Sequence, residues 1–226
     1  MSTVPCDPVS DETIARAAGL LRDGRLAIVP TDTVYGIAAD VRIDAAVEKI
    51  YRAKGKGQAA PLQLLFASLG DVSRYARLTP VASALVDALG PGGWTIIVPA
   101  ATGWRSPALA GGTTLGFRVP DCAPLRAILG VLGGPVAASS ANRHGGPSPA
   151  TCRDAVAQVG DHVAVAIDAG PAAGGLDSTV IDCAGEEPVI LREGAIDRET
   201  IARILRLRRI AVVRSVRSGR EAGEPS

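Results

Sequence analysis

The amino-acid sequence predicts a single α/β domain. Short apolar runs of strand length alternate along the chain with longer segments of helical periodicity, a pattern typical of a sheet with helices packed on it. Several of these runs end in polar, glycine-containing loops, as strands do at the ligand-binding edge of an open α/β sheet. A chain of 226 residues, 47% of them hydrophobic, is long enough to bury a substantial core. Because no linker divides it, we expect one domain over residues 10–205 and a basic, disordered tail over residues 206–226.

Six segments carry the periodicity or the end signals of helices. Ile14, Ala17 and Leu21 fall on one face after a candidate N-cap at Ser10, and Pro80 suits the first turn of a helix. In chain order, the predicted helices are Ser10–Asp23, Asp44–Lys54, Pro80–Leu89, Pro124–Leu129, Thr151–Gln158 and Arg198–Leu205.

Eight apolar runs are too short for helices and are predicted to be strands. Several are bounded by turn residues, as Pro91, Gly92 and Gly93 precede the third run. In chain order, these runs are Leu26–Pro30, Pro61–Phe66, Thr95–Val98, Thr114–Pro120, the run that starts at Val136, Val163–Asp168, Asp177–Asp182 and Val189–Gly194.

Composition excludes several classes of function. A formal net charge of +1 produces no field strong enough for wholesale binding to nucleic acid or membrane, and 3% aromatic residues leave little material for stacking bases. The four cysteines are scattered without a C-x-x-C pair, and the two histidines lack metal-ligand spacing, so we expect no protein-built metal site. No apolar run approaches the ~20 residues that cross a bilayer. We expect a soluble, cytoplasmic protein.

Two polar segments follow predicted strands and are candidates for a shared ligand-binding crevice. The first is Thr31–Gly36. The second follows the strand from Val136 and offers three uncharged hydrogen-bonding side chains, Ser140, Asn142 and Ser148, among glycines that let a phosphate approach the backbone. An Asx-type turn with a proline stop explains the second segment equally well on local grounds.

Lysine is rare in this chain, so its positions are informative. Lys54 and Lys56 are two of only three lysines, and they flank Gly55 at the end of a predicted helix. A cationic loop beside polar strand ends suits a triphosphate, although the Walker A pattern is absent. The alternative is a solvated helix C-terminus, where cations favour the helix dipole.

Arg118 lies within an apolar predicted strand. A buried guanidinium is costly unless it is paired, so we expect a dedicated anionic partner. That partner is either a structural aspartate or the carboxylate of a ligand. Two further polar residues, Ser178 and Arg192, lie at the edges of later strands.

Six motifs in this order and spacing resemble those of the YrdC-like family, whose best-known members are threonylcarbamoyl-AMP synthases. The resemblance extends from about Gly24 to Ile196. It is carried by Pro30–Gly36 (PTDTVYG), Lys54–Lys56 (KGK), Phe117–Pro120 (FRVP), Ser139–Asn142 (SSAN) with Pro147–Pro149 (PSP), Asp177–Val180 (DSTV) and Leu191–Gly194 (LREG).

The resemblance implies a twisted mixed sheet with flanking helices around a large, concave, positively charged cavity, in the short single-domain form of the family. It also implies the conversion of L-threonine, bicarbonate or CO2, and ATP into threonylcarbamoyl-AMP and pyrophosphate, with Mg²⁺ carried by ATP. Protein partners then transfer the threonylcarbamoyl group to tRNA, and a weak contact of this chain with tRNA is compatible with that role.

The resemblance also assigns site residues. Lys56 and Arg118 would position substrates and stabilise charge, and no nucleophile or general base is assigned. Threonine would be held by Thr31 or Thr33, Arg118, the Ala138 backbone and Ser178. ATP would be held by Lys54, Lys56, Thr114, Ser140, Asn142, Ser148 and Arg192.

This sequence departs from the family pattern in one region. Lys56 and Gly57 stand where an arginine and a proline are common, Ala60 where an asparagine or lysine is common, and Leu65 where a histidine is common. Two alternative functions follow from the residues and the fold. One is an enzyme of the same fold that adenylates another carbamoyl donor, and the other is a module that binds double-stranded RNA or tRNA, whose affinity would fall steeply with salt.

Overall fold

The computed structural model of the protein describes residues 4–55, 60–208 and 214–215. Within them, eleven strands form one sheet in the order β1-β8-β2-β3-β7-β4-β6-β5-β9-β10-β11. The strands are Cys6–Pro8 (β1), Ala27–Val29 (β2), Gly36–Asp40 (β3), Gln63–Leu65 (β4), Trp94–Pro99 (β5), Thr114–Arg118 (β6), Val136–Ser140 (β7), Val165–Asp168 (β8), Thr179–Asp182 (β9), Val189–Arg192 (β10) and Arg214–Ser215 (β11).

The sheet is mixed, as predicted. At its centre, β4 pairs in parallel with β6 and antiparallel with β7, while β2 pairs antiparallel with β3 and in parallel with β8. The helices are Asp11–Arg22 (α1), Asp44–Ala53 (α2), Pro80–Leu89 (α3), Ala123–Leu132 (α4), Cys152–Val159 (α5) and Arg198–Leu207 (α6). Short 3₁₀ segments occur at Leu69–Arg74, Pro107–Leu109 and Gly160–His162.

Helices cover both faces of the sheet. Along β2, Ala27 and Val29 pack with α1 and α4 in one buried cluster, whereas Ile28 belongs to the cluster on the other face. This alternation follows from the two-residue period of a strand. The second face also buries Trp94, Phe66 and other aromatic rings in edge-to-face contacts.

Polar caps fix the helix starts. Ser10 and Thr13 form a capping box at α1, in which each side chain accepts a hydrogen bond from the backbone of the other residue. Thr79, Thr151 and Asp197 accept hydrogen bonds from the first turns of α3, α5 and α6.

Every predicted helix and strand is present, with its ends shifted by at most a few residues. Three observed strands were not predicted: β1, β3 and β11. In the stretch expected to be a tail, Arg206 and Leu207 complete α6, and Arg214–Ser215 pair with β10. The rest of that stretch lies outside the described residues, so its disorder stays a prediction. Among the helices that the structure describes, none has both the length and the apolar character to cross a membrane.

Candidate active site

A cavity of about 270 Å³ lies over one face of the central strands. Alternate residues of β4, β5 and β6 line it, because alternate side chains of a strand share a face: Gln63 and Leu65, Thr95 and Ile97, and Thr114, Gly116 and Arg118. Residues before β3, along β7 and around β9 and β10 complete the wall.

Small residues form the floor of this cavity. Gly36, Ala138 and Gly116 contribute little or no side chain; the first two lie on the paired strands β3 and β7, and Gly116 lies on β6, one strand beyond β4. A Cβ atom on Gly116 would lie 3.3 Å from Thr95 Cγ2, which is already a tight contact. The cavity therefore owes its depth to residues that leave backbone at the surface of the sheet.

All five residues expected to hold threonine line the cavity: Thr31, Thr33, Arg118, Ala138 and Ser178. The Thr31 hydroxyl donates to the carbonyl oxygen of Val34 at 2.6 Å and lies 2.9 Å from Thr33 Oγ1. The backbone N–H groups of Thr33 and Val34 donate to Thr31 Oγ1. Thr31 therefore shapes the turn that carries Thr33.

Arg118 is buried, with 2% of its surface exposed. Its Nη2 donates to Asp32 Oδ1 at 2.6 Å, its Nη1 to Thr33 Oγ1 at 2.9 Å and its Nε to the Gly92 carbonyl at 2.8 Å. Burial lowers the pKa of the Arg118 guanidinium below its ordinary value, while Asp32 opposes that shift. The anionic partner that the sequence left open is thus a structural aspartate. These bonds engage three of the five N–H groups of a guanidinium.

A second polar network runs along the wall formed by β5, β9 and β10. Thr95 Oγ1 donates to Gln63 Oε1 at 2.7 Å and lies 2.8 Å from Ser178 Oγ. Arg192 donates to the Ser178 carbonyl at 2.8 Å, and its Nη1 lies 3.5 Å from a carboxylate oxygen of Asp177. The network therefore fixes the Ser178 hydroxyl and the Arg192 guanidinium along this wall of the cavity.

The expected nucleotide residues divide into two groups. Thr114, Ser140 and Arg192 line the cavity, and Ser148 is linked to it because its hydroxyl donates to the Asp177 carboxylate at 3.2 Å. Lys54 and Asn142 lie outside the described lining. Lys56 lies outside the described residues.

Lys54 and Asn142 hold the loop after β7. Lys54 Nζ donates to the carbonyl oxygens of Ser140 and Asn142, at 2.5 Å and 2.8 Å. Asn142 Oδ1 accepts the Ser140 hydroxyl at 2.5 Å, and its Nδ2 donates to the Gly146 carbonyl at 2.7 Å. These contacts make Lys54 and Asn142 the scaffold of the loop that presents Ser140.

Several polar residues of the site were not predicted from the sequence. Asp32 lies within the Thr31–Gly36 segment, but nothing in the local sequence identifies it as the partner of Arg118. Gln63 and Thr95 carried a detectable signal, since each is a polar residue inside an apolar strand run. An apolar wall was also missed, to which Leu62, Leu65, Ile97 and Val180 contribute.

Two guanidinium groups reach the cavity. Each has a carboxylate beside it, Asp32 for Arg118 and Asp177 for Arg192, and each has further N–H groups for a ligand. Buried hydroxyls beside a paired guanidinium suit a small ligand with a carboxylate or phosphate group better than an apolar one. The fold and the cavity therefore define an α/β protein with an internal site for a small anionic ligand.

The chain belongs to the Sua5, YciO and YrdC family, because the family model, described as "Telomere recombination", matches residues 19–194. A threonylcarbamoyl-AMP synthase of Bacillus subtilis (strain 168) is 36% identical over 87% of this chain and 57% of its own length. A putative threonylcarbamoyl-AMP synthase of Mycobacterium tuberculosis (strain H37Rv) is 37% identical over 85% of this chain and 88% of its own length. The structure of Pyrococcus abyssi Sua5 complexed with L-threonine superposes with a TM-score of 0.87 at 29% identity, over 94% of this chain and 63% of that one. These findings confirm the family resemblance.

Proposed function

We propose that the protein is a threonylcarbamoyl-AMP synthase, an adenylyl-transferring enzyme that uses L-threonine, bicarbonate or CO2, and ATP. The Bacillus subtilis relative, at 36% identity, carries that name, and the Mycobacterium tuberculosis relative, matched at 37% identity over 88% of its own length, is named a putative synthase of the same kind. The observation that carries the proposal is the convergence of Thr31, Thr33, Arg118, Ala138 and Ser178 on one cavity. Far apart in sequence, they form a pocket suited to a small hydroxylated amino acid.

Arg118 supplies the positive charge for the threonine carboxylate in this proposal. Asp32 and Thr33 each occupy one terminal nitrogen, so the carboxylate would be met by the N–H groups that these two residues leave. Thr33 and Ser178 would contact the hydroxyl or amine of the threonine, and the Ala138 backbone would lie beside the same substrate. The apolar wall at Leu65 suits the methyl group of threonine.

The nucleotide would occupy the side of the cavity near Thr114, Ser140 and Arg192. Arg192 suits a phosphate because bonds from its Nε and Nη2 to the Ser178 carbonyl fix the guanidinium, and its remaining N–H groups, chiefly those of Nη1, would meet phosphate oxygens. Ser148 would join through its bond to Asp177. Lys54 and Asn142 would act by fixing the loop of Ser140, and Lys56 remains proposed on the family pattern alone.

The reaction needs no enzyme nucleophile. The threonine amine adds to CO2 to form a carbamate, a carbamate oxygen attacks the α-phosphorus of ATP, and pyrophosphate leaves. The protein contributes alignment and positive charge at the reacting phosphate. In this proposal Arg192, which is tied to Ser178, supplies charge on the phosphate side, and Arg118, which is tied to Asp32, Thr33 and Gly92, aligns the threonine.

Mg²⁺ is proposed to enter with ATP. Asp177 is the single carboxylate among the described lining residues, and it already pairs with Arg192. That donor set suits a cation held mainly by phosphate oxygens and water, with at most one protein carboxylate. Bound there, Mg²⁺ would neutralise phosphate charge.

The lability of the product bears on the proposed partner of this protein. A mixed anhydride such as threonylcarbamoyl-AMP hydrolyses readily, so a protein partner that transfers the group to tRNA would receive it soon after release. We place this work in the cytoplasm, where ATP and tRNA meet, and allow a weak contact of this chain with tRNA.

The test is the release of pyrophosphate from ATP by the purified chain, measured with and without threonine and bicarbonate. Release that requires both, with a product of threonylcarbamoyl-AMP mass, is the expected result. Nucleotide binding without threonine-dependent release would overturn the choice of amino acid, and other amines and carbamoyl phosphate would then be tried as substrates. Serine serves as the matched control, since it lacks only the methyl group placed at Leu65.

A further inference from the structure

Three potential metal ligands meet on the face of the sheet that carries α5. Cys6 belongs to β1, Cys152 begins α5 and Asp168 ends β8, and their ligand atoms all lie within 4.8 Å of one another. β1 and β8 pair in parallel with Cys6 opposite Ala166 and Pro8 opposite Asp168, so Cys6 and Asp168 point to the same face. None of the three lines the cavity.

The Asp168 carboxylate is oriented from one side. Its Oδ1 accepts a hydrogen bond from the Gly170 backbone at 2.9 Å and lies 3.3 Å from the Tyr35 hydroxyl. That hydroxyl is itself held, since it donates to the Gly170 carbonyl at 2.6 Å and accepts from the Ala169 backbone. Within the described part of the chain, these bonds leave Asp168 Oδ2 available. Such outer-shell support is typical of carboxylates that bind metal ions.

We propose that Cys6, Cys152 and Asp168 bind a divalent, borderline-soft cation, for which Zn²⁺ is the best match. Two sulfur ligands and one carboxylate suit zinc, whereas Mg²⁺ and Ca²⁺ require oxygen ligands. Cys6 and Asp168 are only partly buried, so water can complete a four-coordinate site.

A cation here would join three separate elements. β1 is three residues long and lies at the edge of the sheet, where it pairs only with β8 in the described chain. A metal bridge would fix it to α5 and β8. It would also brace the site loop indirectly, because the Tyr35 backbone donates to the Pro149 carbonyl at 2.8 Å, next to Ser148. The proposal does not depend on the proposed enzyme activity.

The test uses the reduced, metal-free full chain and titrates it with Co²⁺ and then Zn²⁺. One equivalent of Co²⁺ is expected to produce a thiolate-to-cobalt charge-transfer absorption, which one equivalent of Zn²⁺ abolishes. Cys6→Ser and Asp168→Asn are expected to weaken binding by more than about 10-fold, the loss seen even for outer-shell partners. Cys122→Ser and Cys183→Ser are matched controls, since these thiols are buried elsewhere, and they should bind as the parent does.

Several outcomes would overturn the site. Absence of the absorption in fully reduced protein is one, and equal affinity in the Asp168→Asn variant is another. Formation of a Cys6–Cys152 disulfide in air without metal binding by the reduced form would identify a thiol pair instead. Because Cys6 and Asp168 are partly exposed, their variants should fold, and circular dichroism of each checks this independently of metal binding.

Discussion

The Arg118 guanidinium is oriented by three oxygens of the protein, those of Asp32, Thr33 and Gly92. A buried charge without a partner would be too costly to keep, and Asp32 provides the compensating charge. Removal of either member would leave the other uncompensated, at a cost of about 3–5 kcal/mol for a fully buried pair. An alanine at position 118 would therefore mix a loss of binding with a loss of stability, and a charge-conserving substitution separates them better.

We expect Arg118→Lys to raise the KM for threonine at least about 10-fold while changing the KM for ATP far less. Lysine keeps the charge beside Asp32 but loses the planar fork that meets a carboxylate with two bonds. The measurement is pyrophosphate release at varied threonine and varied ATP. Arg126→Lys is the matched control, because Arg126 is a surface residue in a long ion pair with Asp121 at 3.7 Å. Unchanged threonine KM in Arg118→Lys would remove Arg118 from the proposed carboxylate site.

Lys54 illustrates what residue type alone cannot decide. Its position beside a glycine fits a phosphate clamp, yet in the structure its ammonium binds carbonyl oxygens of the loop after β7. The sequence does not reveal that this loop comes within reach, since about ninety residues separate them. By contrast, the sequence alone predicts that Arg118 needs an anionic partner, because burying an unpaired guanidinium is costly. It does not predict which residue that partner is.

At the scale of elements, the turn after β10 packs directly on the start of β9. A Cβ atom added to Gly194 would lie 2.1 Å from the Asp177 carbonyl oxygen and 2.9 Å from that of Ser178. The Ala195 backbone also donates to the Asp177 carbonyl at 2.9 Å. This close approach holds Asp177, Ser178 and Arg192 at one wall of the cavity. Position 194 requires glycine because a larger residue has no space beside the backbone of Asp177 and Ser178.

Gly194→Ala is therefore expected to lower the free energy of unfolding by about 1–3 kcal/mol or more, since 1–3 kcal/mol is the usual cost of overpacking. It should also weaken threonine or ATP binding in the molecules that remain folded, because the Ser178 backbone must move. Thermal unfolding and isothermal titration measure the two effects. Gly185→Ala, in the turn between β9 and β10, has open space around its new Cβ and should change neither. Equal stability of the two variants would contradict the packing argument.

The elements that the sequence predicted share strong local signals. α3 has threonine and proline at its start, and β5 is apolar at every position except Thr95. β3 was missed because Gly36-Ile-Ala-Ala-Asp40 has one β-branched residue and two alanines, a composition that favours no strand. It is nonetheless buried at every position, since β2 and β7 flank it on both sides. β1 was missed for a different reason, because it is three residues long and its only partner among the described strands, β8, is distant in sequence.

At the scale of the whole molecule, charge is balanced overall and concentrated locally. The chain has a formal net charge of +1, and the two arginines of the described cavity lining, Arg118 and Arg192, lie beside the carboxylates of Asp32 and Asp177. Long-range attraction to a polyanion is therefore weak, while a small anion inside the cavity meets closely placed cations that salt screens poorly. The two candidate roles, a small-molecule enzyme and an RNA-binding module, thus differ in their response to ionic strength.

We expect kcat/KM for threonine to fall less than about 10-fold between 50 and 200 mM salt. A protein that binds RNA mainly through phosphates would lose far more affinity over that range, about 10³–10⁵-fold for 6–10 phosphate contacts on duplex DNA and somewhat less on single strands. Turnover and tRNA binding are measured on the same preparation, the latter by filter binding at both salt concentrations. Tight tRNA binding with a steep salt dependence, together with an absence of turnover, would favour the RNA-binding role. Weak tRNA binding beside salt-tolerant turnover is what a buried site on a nearly neutral protein should produce.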